Sequence, residues 1–387
     1  MDAHLTVRRA SAGLRAVYLH HPADRRTPLP PARIGVHTDE TSCPKPARHR
    51  PPRSPRWLCR ATREGTDVER THRRFRFGVV GESTRSAKEL VEQARLAEDL
   101  GYSTLLLRDH FVAEPFGDQL APLVALAAAA GSTSTLRLGT LVLANDYRHP
   151  VLLAKEAATL DELSDGRFEL GLGAGWLREE YTAAGMPFDT GRVRVSRLEE
   201  AIHVLKGLLS GSPVTYASDH YSVTDLVTFP EPVQRPHPPL LIGAGSKRML
   251  GIAGREADIV GILPKALPNG TISEDRAERT PEATAQKIAW IRDGAGERFG
   301  RVELSMMISP VIAEDHVGEA ERFAAHRGWD GSRPVEVLAM PSVFVGAVDR
   351  IVDEMQARRE QYGFSYYVIS DRVMDAFAPV VERLTGR

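Results

Sequence analysis

Polar or glycine-rich residues follow four of the predicted strands. Among the residues of this chain, they are the best candidates for catalysis or ligand binding. One strand runs directly into Arg108-Asp109-His110. A later strand is followed by Ala144, Asn145, Asp146 and His149. Two further strands end in Gly173-Ala174-Gly175-Trp176 and Gly243-Ala244-Gly245-Ser246.

His110 is the candidate for proton transfer, because an imidazole can pass a proton or stabilise an anion near neutral pH. The alternative is a structural histidine bonded to a loop carbonyl. Asp109 could orient the ring, although adjacent residues on a strand point to opposite faces. Trp176 could form one wall of a flat ligand pocket or simply anchor its loop. His149 precedes Pro150 and is predicted to cap a helix.

The two Gly-x-Gly turns are candidates for anion binding. Glycine allows positive φ and close approach of a ligand, and successive free N–H groups can form an anion nest beside a helix N-terminus. Gly243–Ser246 runs from a strand straight into a predicted helix, which is the context expected for a phosphate. Tight strand-to-helix turns use the same residues, so a purely structural turn is the alternative. Neither turn reads G-x-G-x-x-G, and no G-x-x-x-x-G-K-[ST] occurs, which argues against Rossmann and P-loop sites.

Other chemistries are disfavoured by what the sequence lacks. It has no H-E-x-x-H and no His/Asp/Glu cluster with metal-ligand spacing, so no metal site is expected. It has no G-x-S-x-G elbow. Both cysteines, Cys43 and Cys59, fall near the N-terminus and outside the strand pattern, which argues against a thiolate nucleophile.

The elements that would position these residues alternate between strands and helices. About eight βα units are recognisable between residues 75 and 387, and their strands read as apolar runs, as in parallel sheets buried on both faces. This pattern predicts a (β/α)8 TIM-type barrel with insertions, one of them a small hairpin near residues 214–223; a doubly wound open sheet is the alternative. In a barrel, the four polar strand ends would converge on one mouth.

Residues 1–74 differ from the rest of the chain. They hold 16 Lys+Arg against seven Asp+Glu, and nine of the 26 prolines. The other 313 residues hold 34 Lys+Arg against 44 Asp+Glu. We expect a disordered basic Pro/Arg-rich extension, which is either a solvated leader or an arm that binds an acidic surface. Because aromatic residues are sparse, we do not expect a nucleic-acid partner. Because no apolar run is long enough for a bilayer and no export signal is recognisable, no membrane association and a cytoplasmic location are expected.

One long segment carries a family resemblance. Residues 137–181, RLGTLVLANDYRHPVLLAKEAATLDELSDGRFELGLGAGWLREEY, resemble the luciferase-like monooxygenase superfamily and, within it, the coenzyme F420-dependent oxidoreductases. The same holds for FRFGVV, LLLRDHF, PHPPLLIGAGSKRMLGIAGREADIVGI and FVGAVDRIVDEM. The resemblance covers residues 75–387.

The resemblance implies a TIM-type barrel, usually a homodimer, that binds the deazaflavin F420 and moves a hydride to or from a small organic substrate. Asp109 and His110 would face the deazaflavin ring. A non-proline cis peptide bond would fall at Leu141–Val142. The other implied cofactor residues line the ring, its edge and its phosphate: Leu141, Val142, Ala144, Gly173, Ala174, Gly175, Glu179, Gly243, Ala244, Gly245 and Ser246.

One departure from the family pattern concerns the substrate. F420-dependent sugar-phosphate dehydrogenases of this superfamily carry a catalytic Glu directly after the Gly-x-Gly turn of the fourth strand, where this chain has Trp176. An apolar or aromatic substrate stacked near Trp176 is therefore expected. Two alternatives stay open: an FMN-dependent monooxygenase that uses O₂ and a separate flavin reductase, and a non-catalytic (deaza)flavin-binding protein.

Overall fold

The computed structural model describes residues 73–82 and 84–387. The predicted disordered extension, residues 1–74, therefore lies outside the described residues except for its last two positions. All the site residues considered above fall within them.

Eight parallel strands form a closed barrel. The strands of the described residues are β1 (Arg76–Val80), β2 (Thr104–Leu107), β3 (Arg137–Thr140), β4 (Leu143–Ala144), β5 (Phe168–Gly173), β6 (Val214–Ala217), β7 (Ser222–Leu226), β8 (Leu240–Ala244), β9 (Ile259–Ile262), β10 (Glu303–Met307), β11 (Ser309–Ile312), β12 (Val343–Gly346) and β13 (Phe364–Ser370). The barrel runs β1–β2–β3–β5–β8–β9–β10–β13, and β13 pairs with β1 to close it. The predicted barrel is confirmed, and the open sheet is excluded.

Helices surround the barrel. They are α1 (Ala87–Asp99), α2 (Pro122–Ala130), α3 (Pro150–Leu163), α4 (Arg178–Ala183), α5 (Gly191–Leu209), α6 (Lys247–Glu256), α7 (Pro281–Ala295), α8 (His316–His326), α9 (Pro334–Leu338), α10 (Val348–Tyr362) and α11 (Met374–Leu384). Among the described residues, no helix is long and apolar enough to cross a membrane.

The apolar strand runs are explained by burial on both faces. In β13, Tyr366 and Val368 join a cluster of buried residues inside the barrel, whereas Tyr367 and Ile369 join the larger core between the sheet and the helices. Alternate residues of one strand thus enter two different cores. A strand in this position needs apolar residues throughout rather than at every second position.

Short-range signals set several helix ends. The imidazole of His149 accepts a hydrogen bond from the N–H of Val151 at 3.3 Å, and Pro150 opens α3, so the predicted cap is confirmed. Gly101 follows α1 with φ of 79°, a conformation that glycine adopts without steric cost.

Two insertions depart from the simple βα rhythm. The predicted hairpin is present as the antiparallel pair β6–β7. A second insertion, residues 309–346, was not expected: β11 pairs in parallel with β12, and α8 and α9 lie between them. This insertion has a small core of its own that includes Trp329, Val337 and Met340.

Candidate active site

The four polar strand ends lie side by side at the C-terminal mouth of the barrel. β2, β3, β5 and β8 are consecutive neighbours in the closed sheet, and β4 continues the path of β3 beside β5. The segments that follow these strands therefore come together although up to about 140 residues separate them in the chain.

His110 contacts Glu180, a residue of α4. Its Nδ1 atom lies 3.1 Å from each carboxylate oxygen of Glu180. Glu180 is 1% exposed, whereas the side chain of His110 is 11% exposed. The carboxylate is thus enclosed, and the imidazole is the more exposed of the two groups.

The environment of Glu180 keeps its carboxylate ionised. Burial alone would raise the pKa of Glu180, but hydrogen bonds from His110, Tyr147 and the N–H of Phe111 outweigh burial and hold that pKa below its usual value. The N–H of Phe111 donates to Oε1 at 2.6 Å, and the hydroxyl of Tyr147 donates to Oε2 at 2.8 Å. Burial and the same carboxylate raise the pKa of Tyr147, so its hydroxyl stays protonated as a donor.

Asp109 faces a different set of partners. Its carboxylate forms a two-point ion pair with Arg148, at 2.6 and 3.1 Å, and accepts a hydrogen bond from the N–H of Ala144 at 3.2 Å. Asp109 is 5% exposed. Glu180, and not Asp109, is therefore the carboxylate that orients His110. Asp109 instead ties the end of β2 to the segment that follows β4.

Two aromatic side chains lie beside His110. The ring centroid of Phe116 lies 5.0 Å from that of His110, and the ring of Trp176 approaches His110 edge-on at 5.9 Å. The guanidinium of Arg108 lies 4.0 Å above the ring of Phe116 and forms a buried ion pair with Glu82, 2.5 Å long. Trp176 thus lies beside His110, and its role as a wall of a flat ligand pocket stays a prediction.

The peptide bond Leu141–Val142 is cis, as the resemblance implied. The side chain of Val142 is half-buried and packs on the core inside the barrel. A Cβ atom at Gly173 would lie 2.8 Å from Cγ2 of Val142, and one at Gly243 would lie 3.4 Å from its Cγ1. Gly173 thus makes room for Val142, whereas Gly243 is only in ordinary contact with it.

The second glycine of each turn is required by packing within the protein. Gly175 has φ of 73°, and a Cβ atom there would lie 2.0 Å from the hydroxyl of Tyr181. A Cβ atom at Gly245 would lie 2.4 Å from the carbonyl oxygen of Pro264. The glycines therefore have a structural reason to be present, and they do not by themselves identify a ligand.

The phosphate interpretation rests instead on a depression of about 520 Å³ beside Ser246. It lies between the N-terminal ends of α5 and α6 and is lined by Gly191, Arg192, Val195, Ser196, Ser246 and Arg248. Within the described residues, the side chains of Thr190 and Ser246 do not cap these helices, so the N–H groups of both first turns are left for other acceptors. Hydroxyls, guanidinium groups and free N–H groups suit a phosphate, so this chain fits a phosphate-bearing cofactor at the predicted place.

The remaining predicted residues occupy the same mouth with different exposure. Ala144 and Ala174 are half-buried, and Ala244 is buried. Glu179 is exposed on the first turn of α4, one position before the buried Glu180. The cofactor roles of all these residues stay predictions. No cluster of potential metal ligands occurs in the described part of the chain.

Sequence reasoning missed Glu180, Tyr147, Arg148 and Phe116. Helix α4 has six residues, which is too short to show a periodic pattern that separates Glu179 from Glu180. Tyr147 belongs to a three-residue helical turn after β4. Only the register of these turns against β2 brings the four side chains to the site.

Comparison with known proteins gives one family match and several relatives. Residues 72–380 match the family model described as luciferase-like monooxygenase. The F420-dependent glucose-6-phosphate dehydrogenase of Microbacterium testaceum is 34% identical over 188 residues, which cover 48% of this chain and 55% of that protein. The FMNH(2)-dependent dimethylsulfone monooxygenase of Pseudomonas putida is 31% identical over 166 residues, which cover 43% and 46%. The chain spans about half the length of these relatives.

A solved structure shows the same fold. The coenzyme F420-dependent tetrahydromethanopterin reductase of Methanopyrus kandleri superposes with a TM-score of 0.62 and 18% identity, covering 81% of this chain and all of that one. At this identity the likeness concerns the fold alone.

Proposed function

We propose that this chain, which belongs to the luciferase-like monooxygenase family, is an F420-dependent oxidoreductase that moves a hydride between the deazaflavin and a small organic substrate. Relatives and structural neighbours in this family are F420- or flavin-dependent enzymes, and the chain is accordingly an oxidoreductase. One observation carries the narrower proposal: a buried, ionised Glu180 holds the imidazole of His110 at the C-terminal mouth of the barrel.

His110 would handle the proton that accompanies the hydride. F420, when bound, supplies a carbon that accepts or gives the hydride. The imidazole of His110 would take the hydroxyl proton of an alcohol or return it to a carbonyl oxygen. Leu141, Val142 and Ala144 would support the ring, whereas Gly173–Gly175 and Glu179 would lie at its edge.

The residues around the depression would hold the cofactor's phosphate. Arg192 and Ser246 line that space. Arg192→Ala should weaken binding of F420 but leave binding of a deazaflavin without the phosphate tail unchanged. Equal weakening of both ligands would instead point to a general disturbance of the mouth.

The substrate would be apolar or aromatic rather than a sugar phosphate. Trp176 stands where the sugar-phosphate enzymes have their catalytic Glu, and with Phe116 it gives the space beside His110 two aromatic walls. Trp176→Ala should raise KM for a substrate found by screening with F420H₂, with little change in cofactor affinity. Unchanged KM and kcat would remove Trp176 from the substrate pocket.

The main alternative is an FMN-dependent monooxygenase supplied with reduced flavin by a separate reductase, and the Pseudomonas putida relative favours it. A fluorescence titration of the full chain with F420 and with FMN, each oxidised and reduced, separates the two. Tighter binding of F420 supports the proposal. Tighter binding of FMN moves the assignment to the monooxygenase and makes O₂ uptake the next assay. Binding without turnover of any substrate would favour a non-catalytic binding protein.

We further propose that the chain forms a homodimer through α2 and α3. The outer side of α2 carries Val124, which is 75% exposed, and the adjacent α3 carries Leu152, which is 52% exposed. Val124→Lys should convert a dimer to a monomer in light scattering, whereas Val335→Lys, at an exposed valine of α9, should not. A monomeric native chain would refute the dimer.

The proposed compartment is the cytoplasm, where the reduced cofactor can be regenerated.

A further inference from the structure

We infer that Glu180 is a positioning residue that fixes the ring proton of His110 on Nδ1 and so leaves Nε2 as the nitrogen that exchanges a proton with the substrate. The first half of this inference depends on the geometry of the chain alone. The second half rests on the proposed hydride transfer, and the experiment below is chosen to separate the two.

The tautomer follows from the chemistry of the acceptor. An ionised carboxylate has no proton to give, so each of its close polar neighbours must donate to it. Both oxygens of Glu180 lie 3.1 Å from Nδ1 of His110. Nδ1 must therefore carry a proton, and in the neutral ring Nε2 is left with a lone pair.

The other two hydrogen-bond partners of Glu180 are also donors. The N–H of Phe111 and the hydroxyl of Tyr147 also donate to the carboxylate, at 2.6 and 2.8 Å. Both are donors to the carboxylate, so they add to the stabilisation of its ionised form. The carboxylate is thus surrounded by donors from two strand ends, and it is 1% exposed.

This arrangement prepares His110 to accept a proton at Nε2. When an alcohol is oxidised, its C–H bond breaks and the electron pair leaves with the hydrogen to the cofactor. Its O–H bond breaks at the same time, and the proton forms a new bond to Nε2. The imidazolium that results lies next to the negative charge of Glu180, which stabilises it. Returning the proton in the reverse reaction uses the same atom.

The test reads the tautomer directly from the full chain labelled with ¹⁵N-histidine. Nitrogen NMR distinguishes a protonated from an unprotonated ring nitrogen, and the signals of His110 are identified by their loss in His110→Gln. At a pH where the ring is neutral, the wild-type protein should show a protonated Nδ1 and an unprotonated Nε2. In Glu180→Gln the amide can donate to Nδ1, so the Nε2–H form should appear. Glu92→Gln, a change of the same kind at an exposed residue of α1, should leave the pattern of His110 as it is.

Kinetics distinguish positioning from general support of the fold. Glu180→Gln should lower kcat by at least about 10-fold, because the wrong tautomer presents a protonated Nε2 to the substrate, while KM and cofactor affinity stay unchanged. Glu180→Asp, which keeps the charge, should restore part of the loss. Tyr147→Phe keeps the carboxylate and should keep the Nδ1–H form, so it serves as the second variant if Glu180→Gln does not fold.

A wild-type spectrum with the proton on Nε2 would overturn the first half of the inference. So would a Glu180→Gln protein whose nitrogen pattern and kcat both match the wild type. The expected tautomer in a protein that turns over no substrate with F420 would leave the first half standing, and would overturn the second half together with the proposed function.

Discussion

Asp109 and Arg148 hold the segment after β4 against the end of β2. The two-point pair is mostly buried, with Asp109 5% exposed, and Arg148 has a second, more distant carboxylate in Glu156 at 3.8 Å. Asp109→Asn would leave the guanidinium without its main charge partner, at a cost of about 2 kcal/mol in the free energy of unfolding by urea. Asp349→Asn, in which the carboxylate of an exposed pair with Arg383 is changed, should cost about 0.5 kcal/mol or less. Equal effects of the two variants would contradict this role for Asp109.

Glu98 gives a pH-dependent contribution to stability. Burial opposes its ionisation, but hydrogen bonds from the N–H groups of Thr135, Leu136 and Ser134 outweigh burial and lower the pKa of Glu98 from 4.5 to about 2. Because this pKa is lower in the folded than in the unfolded chain, the stabilisation is complete above about pH 4.5 and is lost as the pH falls towards 2.

The corresponding prediction concerns Glu98→Gln. At neutral pH it should be less stable than the wild type by about 1 kcal/mol, a value reduced for solvent screening. The difference should shrink as the pH falls from 4.5 towards 2, in urea titrations at a series of pH values. Glu92→Gln, in an exposed pair with Lys88 on the same helix, should show no comparable trend. A difference that is independent of pH would rule out the carboxylate charge as its source.

At the scale of single residues, the sequence identifies a residue when its own local context is informative. His110 follows an apolar run, His149 precedes a proline, and Leu141–Val142 lies inside the segment that carries the resemblance. Glu180 could not be chosen over Glu179, because a helical turn that short has no periodicity to show which side faces the barrel. Its importance comes from a contact across 70 residues of chain.

Among the elements, α6 and α7 pack at unusually short range through glycines. A Cβ atom at Gly294 would lie 2.1 Å from the carbonyl oxygen of Gly251 and 2.7 Å from its Cα atom. A Cβ atom at Gly251 itself would meet nothing within 4 Å. On α6 the crossing requires Gly254, where a Cβ atom would lie 2.2 Å from the carbonyl oxygen of Ile291, and not Gly251.

Gly294→Ala should therefore separate the helices and lower the free energy of unfolding by about 1–3 kcal/mol, as overpacking does. Gly251→Ala should raise it by about 0.5–1 kcal/mol, because alanine favours the helical conformation. Thermal and urea unfolding of the two variants check the opposite signs. Destabilisation by both would mean that the crossing requires Gly251 as well as Gly294.

The elements themselves were largely predictable, and the exceptions have a physical cause. Strands buried on both faces are continuous apolar runs, so the eight barrel strands could be found from the sequence. The insertion of β11, α8, α9 and β12 consists of short pieces around a small core, and none is long enough to establish a period. The hairpin β6–β7 was recognisable as two short runs that lie close together in the sequence, Val214–Tyr216 and Tyr221–Val223.

In the molecule as a whole, the two ends of the barrel have different tasks. The C-terminal mouth carries the candidate site. At the N-terminal end, Arg76 lies between Glu169, at 2.6 Å, and Glu303, also at 2.6 Å, and Arg137 forms a second pair with Glu169. These charges join β1, β3, β5 and β10, which lie on different sides of the barrel. The guanidinium of Arg76 also stacks 3.6 Å from the ring centroid of Tyr366 inside the barrel.

Glu169 is the charge on which this network depends. Burial would raise the pKa of Glu169, but the guanidinium groups of Arg76 and Arg137 outweigh burial and keep it below its usual value. Glu169→Gln would leave two arginines facing a neutral group within the barrel. We expect a loss of about 3–5 kcal/mol in the free energy of unfolding, the usual cost of removing one partner from a buried pair. Because Glu169 is the second residue of β5 and the candidate site lies where β5 ends, the folded variant should bind F420 as tightly as the wild type. Glu336→Gln, at an exposed pair with Arg333, should leave the unfolding midpoint unchanged. A weakened affinity for F420 in folded Glu169→Gln would show that the two ends of the barrel are coupled rather than independent.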